Sequence, residues 1–228
     1  MRWGIIAALE AELELILSAM EVESELEAYG VRFYVGKIAG REVAAVCSSV
    51  GTINAAACAS VLARELGADA LVNIGVAGST CEELEILDVV LSSEVVFHDA
   101  DTNILKKYYP YRESFSADAA LLTLAEKSIA AISSRDFSYK VGRIATGDLF
   151  VDSLEAKNDI TARVRPLCVE MEGAAIGQIA QMSGIPFLVI RSLSDKSDGS
   201  AAVSFESFLG KAAANSAAIV LGMIGLHN

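Results

Sequence analysis

Residues 70–78, ALVNIGVAG, decide the fold. From Ala70 to Ile74 the chain is nearly continuously apolar, and Gly75-Val76-Ala77-Gly78 then supplies a glycine-rich turn. A strand that is apolar at successive positions, not only at alternate ones, is buried on both faces, which requires a sheet covered by helices on each side. A strand that gives way to such a turn places ligands at its carboxyl end.

The flanking sequence repeats the pattern. Upstream, a strand at Trp3–Ala8 leads into a helix at Glu10–Met20, where Leu13, Ile16, Leu17 and Met20 recur at three- and four-residue intervals behind an acidic first turn. Strands at Val31–Ile38 and Glu42–Ser48 are joined by a hairpin through Ala39, Gly40 and Arg41, and a helix from Gly51 to Leu66 is closed by Gly67. Downstream come a strand at Asp88–Phe97, a helix at Ala117–Ile132 and a strand at Tyr139–Ala145. The loop 146–152 precedes a strand at Cys168–Glu170, a helix at Glu172–Met182 capped by Gly184, and a strand at Pro186–Ser192. The last helix is expected to start near Phe205. This alternation, without linker or repeat, predicts one α/β domain over residues 1–228: a mixed, mostly parallel twisted sheet with helices on both faces. Segment 98–115 has no periodicity and holds Tyr108, Tyr109, Pro110 and Tyr111, so it is either a lid or an interface.

Composition narrows the function. A net charge of −12 and no basic stripe argue against nucleic acid. Cys47, Cys58, Cys81 and Cys168 are scattered through apolar runs without a CxxC pair, as expected of reduced cysteines in the cytoplasm. The apolar stretch at Trp3–Leu9 is broken by Glu10, Glu12 and Glu14, which reads as a strand and not a secretory signal. Ala212–Leu226 is too short for the ~20 residues of a membrane span, so a buried helix is expected and no membrane partner. With His98 and His227 as the only histidines, no metal site is expected, nor any cofactor.

Three acidic positions fall where strands yield to loops or helices: Glu12, the Glu170/Glu172 pair, and Asp195. Singly, each has an ordinary explanation. Glu12 and Glu172 suit helix amino termini, and Asp195 suits a capping role in its loop. Together, at one end of a sheet, they would repel one another unless a ligand or a cation uses them.

Their motif context carries more weight. Residues 4–12 (GIIAALEAE), 73–78 (NIGVAG), 169–175 (VEMEGAA) and 191–195 (RSLSD) resemble the 5'-methylthioadenosine/S-adenosylhomocysteine nucleosidase family, within the nucleoside phosphorylase-like fold. His98-Asp99-Ala100-Asp101, residues 146–151 (TGDLFV) and residues 204–209 (SFESFL) follow in the family's order. The resemblance implies hydrolysis of an N-ribosidic bond, releasing adenine from a 5'-thio-substituted adenosine. It makes Asp195 the general acid toward N7 of adenine, oriented by Ser194, and Glu12 the base that activates water. It gives Glu172 the ribose hydroxyls, Met171 a packing role on the sugar, and Arg191 the neutralisation of the carboxylates. Glu170 either binds ribose or pairs with Arg191. Phe150 would stack on adenine while the backbone of Val151 reads its edge. Val50 and Phe205 would line an apolar 5' pocket, completed in a homodimer by segment 98–115 of the neighbour. Val76 stands where the superfamily often has a hydroxyl, and no arginine precedes it on the strand, which favours water over phosphate as the nucleophile.

Three other readings make distinct predictions. An aminodeoxyfutalosine hydrolase differs only in its 5' pocket, a purine nucleoside phosphorylase requires phosphate, and a nucleoside-binding sensor binds without turnover.

Overall fold

The computed structural model describes residues 1–227. Its elements are β1 (Trp3–Ala7), α1 (Glu10–Ser18), β2 (Glu21–Ala28), β3 (Val31–Ile38), β4 (Arg41–Cys47), α2 (Thr52–Arg64), β5 (Ala70–Ser79) and β6 (Val89–Phe97). They continue as α3 (Thr102–Lys107), β7 (Ser114–Ser116), α4 (Ala119–Ala131), β8 (Tyr139–Thr146), α5 (Leu154–Val164), β9 (Cys168–Glu170), α6 (Gly173–Ser183), β10 (Phe187–Asp195) and α7 (Ala201–Leu226).

One mixed sheet holds all the strands. Parallel pairings join β1 to β4 and β5, β5 to β10, β6 to β8, and β8 to β9. Antiparallel pairings join β10 to β6 and β5 to β9, and build the outer β2–β3–β4 ribbon and the β6–β7 edge. Five of these strands close on themselves, β5 to β10 to β6 to β8 to β9 and back to β5. The single-domain α/β architecture with helices on both faces is as expected.

Burial on both faces follows from the strand sequences. Along β1, Trp3, Ile5 and Ala7 enter one core beneath α1, α4 and α7, while Ile6 enters the other beneath α2 and α6. β5 divides in the same way, with Val72 and Ile74 on one side and Leu71 and Ala77 on the other. Each fully buried side chain of this size contributes ~1.5–3 kcal/mol.

Several expectations need correction. The turn expected at Gly75–Gly78 is strand, because β5 runs unbroken to Ser79. Its glycines serve close approach, not turning. A Cβ on Gly75 would collide with the guanidinium of Arg191 and the carboxylate of Glu12, and one on Gly78 with Ser197 and Asp195. β2 is an addition to the elements expected from sequence. Its alternation of glutamates with Val22, Ser24, Leu26 and Ala28 is the signal that marks it. β10 runs on to Asp195, so that residue ends a strand, and its carboxyl accepts an amide of the loop that follows. Segment 98–115 is partly ordered structure: Asp101 accepts bonds from the amides of Asn103 and Ile104 to start α3, and β7 begins at Ser114. The last helix starts at Ala201, a turn before Phe205. At 26 residues, α7 is long and apolar enough to cross a membrane. Its Ala213, Ala217, Val220, Met223 and Ile224 are buried inside the protein, and Asn215 donates to the Leu87 carbonyl at 3.2 Å, so it serves as a core helix.

Candidate active site

Carboxyl ends of β1, β5, β9 and β10 converge on a cavity of ≈440 Å³. Every residue singled out from sequence lies in its wall: Glu12, Val50, Val76, Phe150, Val151, Glu170, Met171, Glu172, Arg191, Ser194, Asp195 and Phe205.

Glu12 sits in the first turn of α1, where it accepts the amide of the capping residue Leu9. Its ordinary helix-terminal role is therefore real, and it is combined with another. Oε2 also accepts from Ala8 N at 2.9 Å, and Oε1 accepts from Val76 N at 3.0 Å, so three amides fix a carboxylate that is almost fully buried. Burial raises its pKa; Arg191 and the three amides pull the other way. Val76 thus contributes its backbone, and an apolar side chain there is no obstacle to the contact.

Arg191 organises the opposite carboxylates. It is buried, its Nη2 pairs with Glu170 and, at 3.2 Å, with Glu172, and the same nitrogen meets Asn73 Oδ1 at 2.5 Å. Glu170 is also fully engaged. It accepts from the Glu172 and Gly173 amides at 3.1 and 2.7 Å and from the Thr146 hydroxyl. Glu170 is paired with Arg191 in this arrangement. Glu172 is more available: one oxygen accepts from Gly51 N at 2.9 Å, the other faces Arg191, and burial pushes its carboxyl up to about 7, with Arg191 opposing and Glu170 adding.

Asp195 depends on a bulge. Between β5 and β10 the register slips, pairing Leu193 with Ala77 and Asp195 with Gly78, which leaves Ser194 as the extra residue. A bulge re-aims side chains that would otherwise point to opposite faces. Ser194 Oγ consequently lies 2.8 Å from Asp195 Oδ2, and Ser197 N donates to Oδ1 at 2.8 Å. Burial raises the pKa of Asp195 against these two hydrogen bonds.

Apart from Ser197 and Glu206, the remaining wall is apolar. Phe150 meets Phe205 edge to face, ring centres 6.1 Å apart, at the mouth. Asp148 grips Thr52 through its amide at 2.7 Å and its hydroxyl at 2.5 Å, and this holds the Gly51 end of α2 against Glu172.

Four contributors were not expected from sequence: Asn73, Thr146, Asp148 and Ser197. Asn73 and Thr146 carry a signal, since each is a polar residue at a fully buried strand position. His98 lies outside the cavity, packed against Gly147, while Asp99 accepts the Asp148 amide at 2.9 Å. Among the described residues, no group of His, Cys, Asp and Glu side chains has an arrangement that could hold a metal ion.

Comparison with known proteins gives the same picture over the whole length. The chain matches the phosphorylase superfamily over residues 2–225. A 5'-methylthioadenosine/S-adenosylhomocysteine nucleosidase of Aeromonas salmonicida (strain A449) is 36% identical, with 99% of each chain covered. The nucleosidase of Colwellia psychrerythraea 34H, solved in complex with adenine, superposes with a TM-score of 0.93 at 34% identity, covering 99% of this chain and 95% of that one. A futalosine hydrolase mutant of Helicobacter pylori strain 26695 superposes with a TM-score of 0.90 at 29% identity over 98% of both chains. With four buried carboxyl groups around one cavity and full-length identity above 30%, this chain belongs to the phosphorylase superfamily and, within it, to the 5'-methylthioadenosine/S-adenosylhomocysteine nucleosidase family.

Proposed function

We propose that the chain hydrolyses the N-ribosidic bond of 5'-methylthioadenosine and S-adenosylhomocysteine, releasing adenine and the thio-substituted ribose. The observation that carries this reading is the placement of Glu12, Glu172 and Asp195 in the wall of a single cavity whose mouth is aromatic.

The reaction needs a proton on the leaving base, stabilisation of a cationic sugar, and an activated water. Asp195 is the proton donor, because burial favours its protonated form and Ser194 fixes its orientation. Glu12 is the base, held rigidly by three amides so that the water it activates meets a fixed acceptor. Glu172 takes the ribose hydroxyls, and Met171 packs on the sugar beside it. Arg191 and Glu170 are positioning residues, since they neutralise and brace this cluster. Phe150 stacks on adenine and the Val151 backbone reads its edge, while Val50 and Phe205 receive the 5' substituent.

Asp195→Asn and Glu12→Gln should each lower turnover of 5'-methylthioadenosine by about 100-fold or more, measured as adenine release. Near-normal rates in either variant would contradict the assignment. The futalosine hydrolase likeness motivates one further comparison, aminodeoxyfutalosine against the two thio-nucleosides. A higher kcat/KM on aminodeoxyfutalosine would move the chain to that activity.

We also infer a homodimer in which residues 98–115 of the neighbour complete the 5' pocket. Within this chain that segment contributes nothing to the cavity wall, yet it exposes Ile104, Tyr108, Tyr109 and Tyr111. The four free cysteines fit a reducing, cytoplasmic location.

A further inference from the structure

Two polar atoms in the cavity wall are buried without a hydrogen-bond partner among the described residues, Arg191 Nε and Ser197 Oγ. Both terminal nitrogens of Arg191 are engaged, so its remaining N–H is the minor part of a satisfied group. Ser197 differs, because its whole hydroxyl is unused in a fully buried residue. A buried hydroxyl in that state is unfavourable unless another state of the protein uses it.

The backbone sharpens the point. Ser197 takes the left-handed region at φ 50°, where glycine or asparagine is the ordinary choice. Its amide already donates to Asp195 Oδ1 at 2.8 Å. Its Oγ lies with that same Oδ1 over the Cα of Gly78, where a side chain on Gly78 would strike both. The unused hydroxyl and the carboxyl oxygen are therefore near neighbours.

We propose that Ser197 is a positioning residue for the acid, its hydroxyl turning to donate to Asp195 Oδ1 once that carboxyl has given its proton to the leaving base. The proton passes from Asp195 to the base, the hydroxyl keeps its own, and the new carboxylate is held by three donors. These are Ser194 Oγ on Oδ2, and the amide and hydroxyl of Ser197 on Oδ1. Hydrogen bonds to an ionised acceptor are about twice as strong as those to a neutral one, so the third donor stabilises the product of proton transfer more than the resting acid. Other ionisable groups facing Asp195 are Asp198 in the same loop, Lys157 of α5, Cys168 of β9, and Glu206 of α7 in the cavity wall. Lys157 is tied to the Lys196 carbonyl at 2.7 Å.

This inference rests on Asp195 being the proton donor, so the test carries Asp195→Asn in parallel. The pH dependence of kcat/KM for 5'-methylthioadenosine is compared in the wild type, Ser197→Ala and Ser197→Gly. Glycine removes the hydroxyl while relaxing the left-handed backbone, which separates the two effects. Without the hydroxyl, the Asp195 carboxylate is less stabilised and its pKa rises. The alkaline limb should therefore move to higher pH by about 0.5–1 unit in both variants, the size expected of one charge-assisted hydrogen bond. At neutral pH, kcat should fall about 3–10-fold with KM within twofold. An unmoved limb in both variants overturns the proposal, as does a shift in the alanine variant alone, which would be a backbone effect. A rise in KM without a shift also overturns it, since the hydroxyl would then touch the substrate. Near-normal turnover by Asp195→Asn would overturn the underlying reading instead.

Discussion

Glu12 and Glu172 each hold a structural position besides the chemistry proposed for them. Glu12 closes the first turn of α1 and presents a buried carboxylate, and Glu172 sits at the amino end of α6 while facing Arg191. Glu172 also leaves a signature in stability. Its folded pKa, pushed up to about 7, lies above its ordinary value of 4.5, so the native chain holds a proton that the unfolded chain releases. That contribution is complete below pH 4.5 and is lost as pH rises through about 7. Thermal melts of Glu172→Gln should accordingly show a flatter fall in Tm than the wild type across this window. Parallel curves would mean that Glu172 is ionised in the native state throughout. That Glu12, Glu172 and Asp195 meet at one cavity was legible from motif order, not from any residue alone. Ser197 was not legible, because a serine in a Ser-Asp-Lys-Ser-Asp loop looks like any turn residue until its burial is known.

Among the elements, β5 is where sequence and structure differ most usefully. Its glycines suggest a turn, since glycine most often serves conformation. Here Gly75 and Gly78 clear space on a straight strand for the side chains of Glu12, Arg191, Asp195 and Ser197, all contributed by distant segments. Local sequence cannot reveal such a demand, because the crowding groups arrive only on folding. Gly75→Ala should displace Arg191 and Glu12 and reduce turnover by about 100-fold, whereas Gly210→Ala, in open space on α7, should leave it within twofold. Equal activity in the two variants would remove the close-approach explanation. Elements with a full apolar period, such as β1, α2 and α4, were readable directly, and Gly184 ends α6 in the left-handed conformation expected of its position. β2 escaped because it lies at the sheet edge, with most of its residues exposed, and owes its place to pairing with β3.

The whole molecule is one sheet whose strand ends meet at a cavity, and segment 98–115 takes no part in the wall of that cavity within this chain. If a neighbour completes that wall, sedimentation should show a dimer, and Tyr109→Glu should weaken it while raising KM for thio-substituted nucleosides. A monomer with full activity would place the 5' pocket entirely within one chain. Cleavage by water at the adenine–ribose bond is tested by incubating the protein with 5'-methylthioadenosine, with and without added inorganic phosphate, and following adenine and the sugar product. Equal rates of adenine release, with free methylthioribose as the sugar in both, are expected. Adenine release that requires phosphate, with a ribose 1-phosphate as product, would contradict the account.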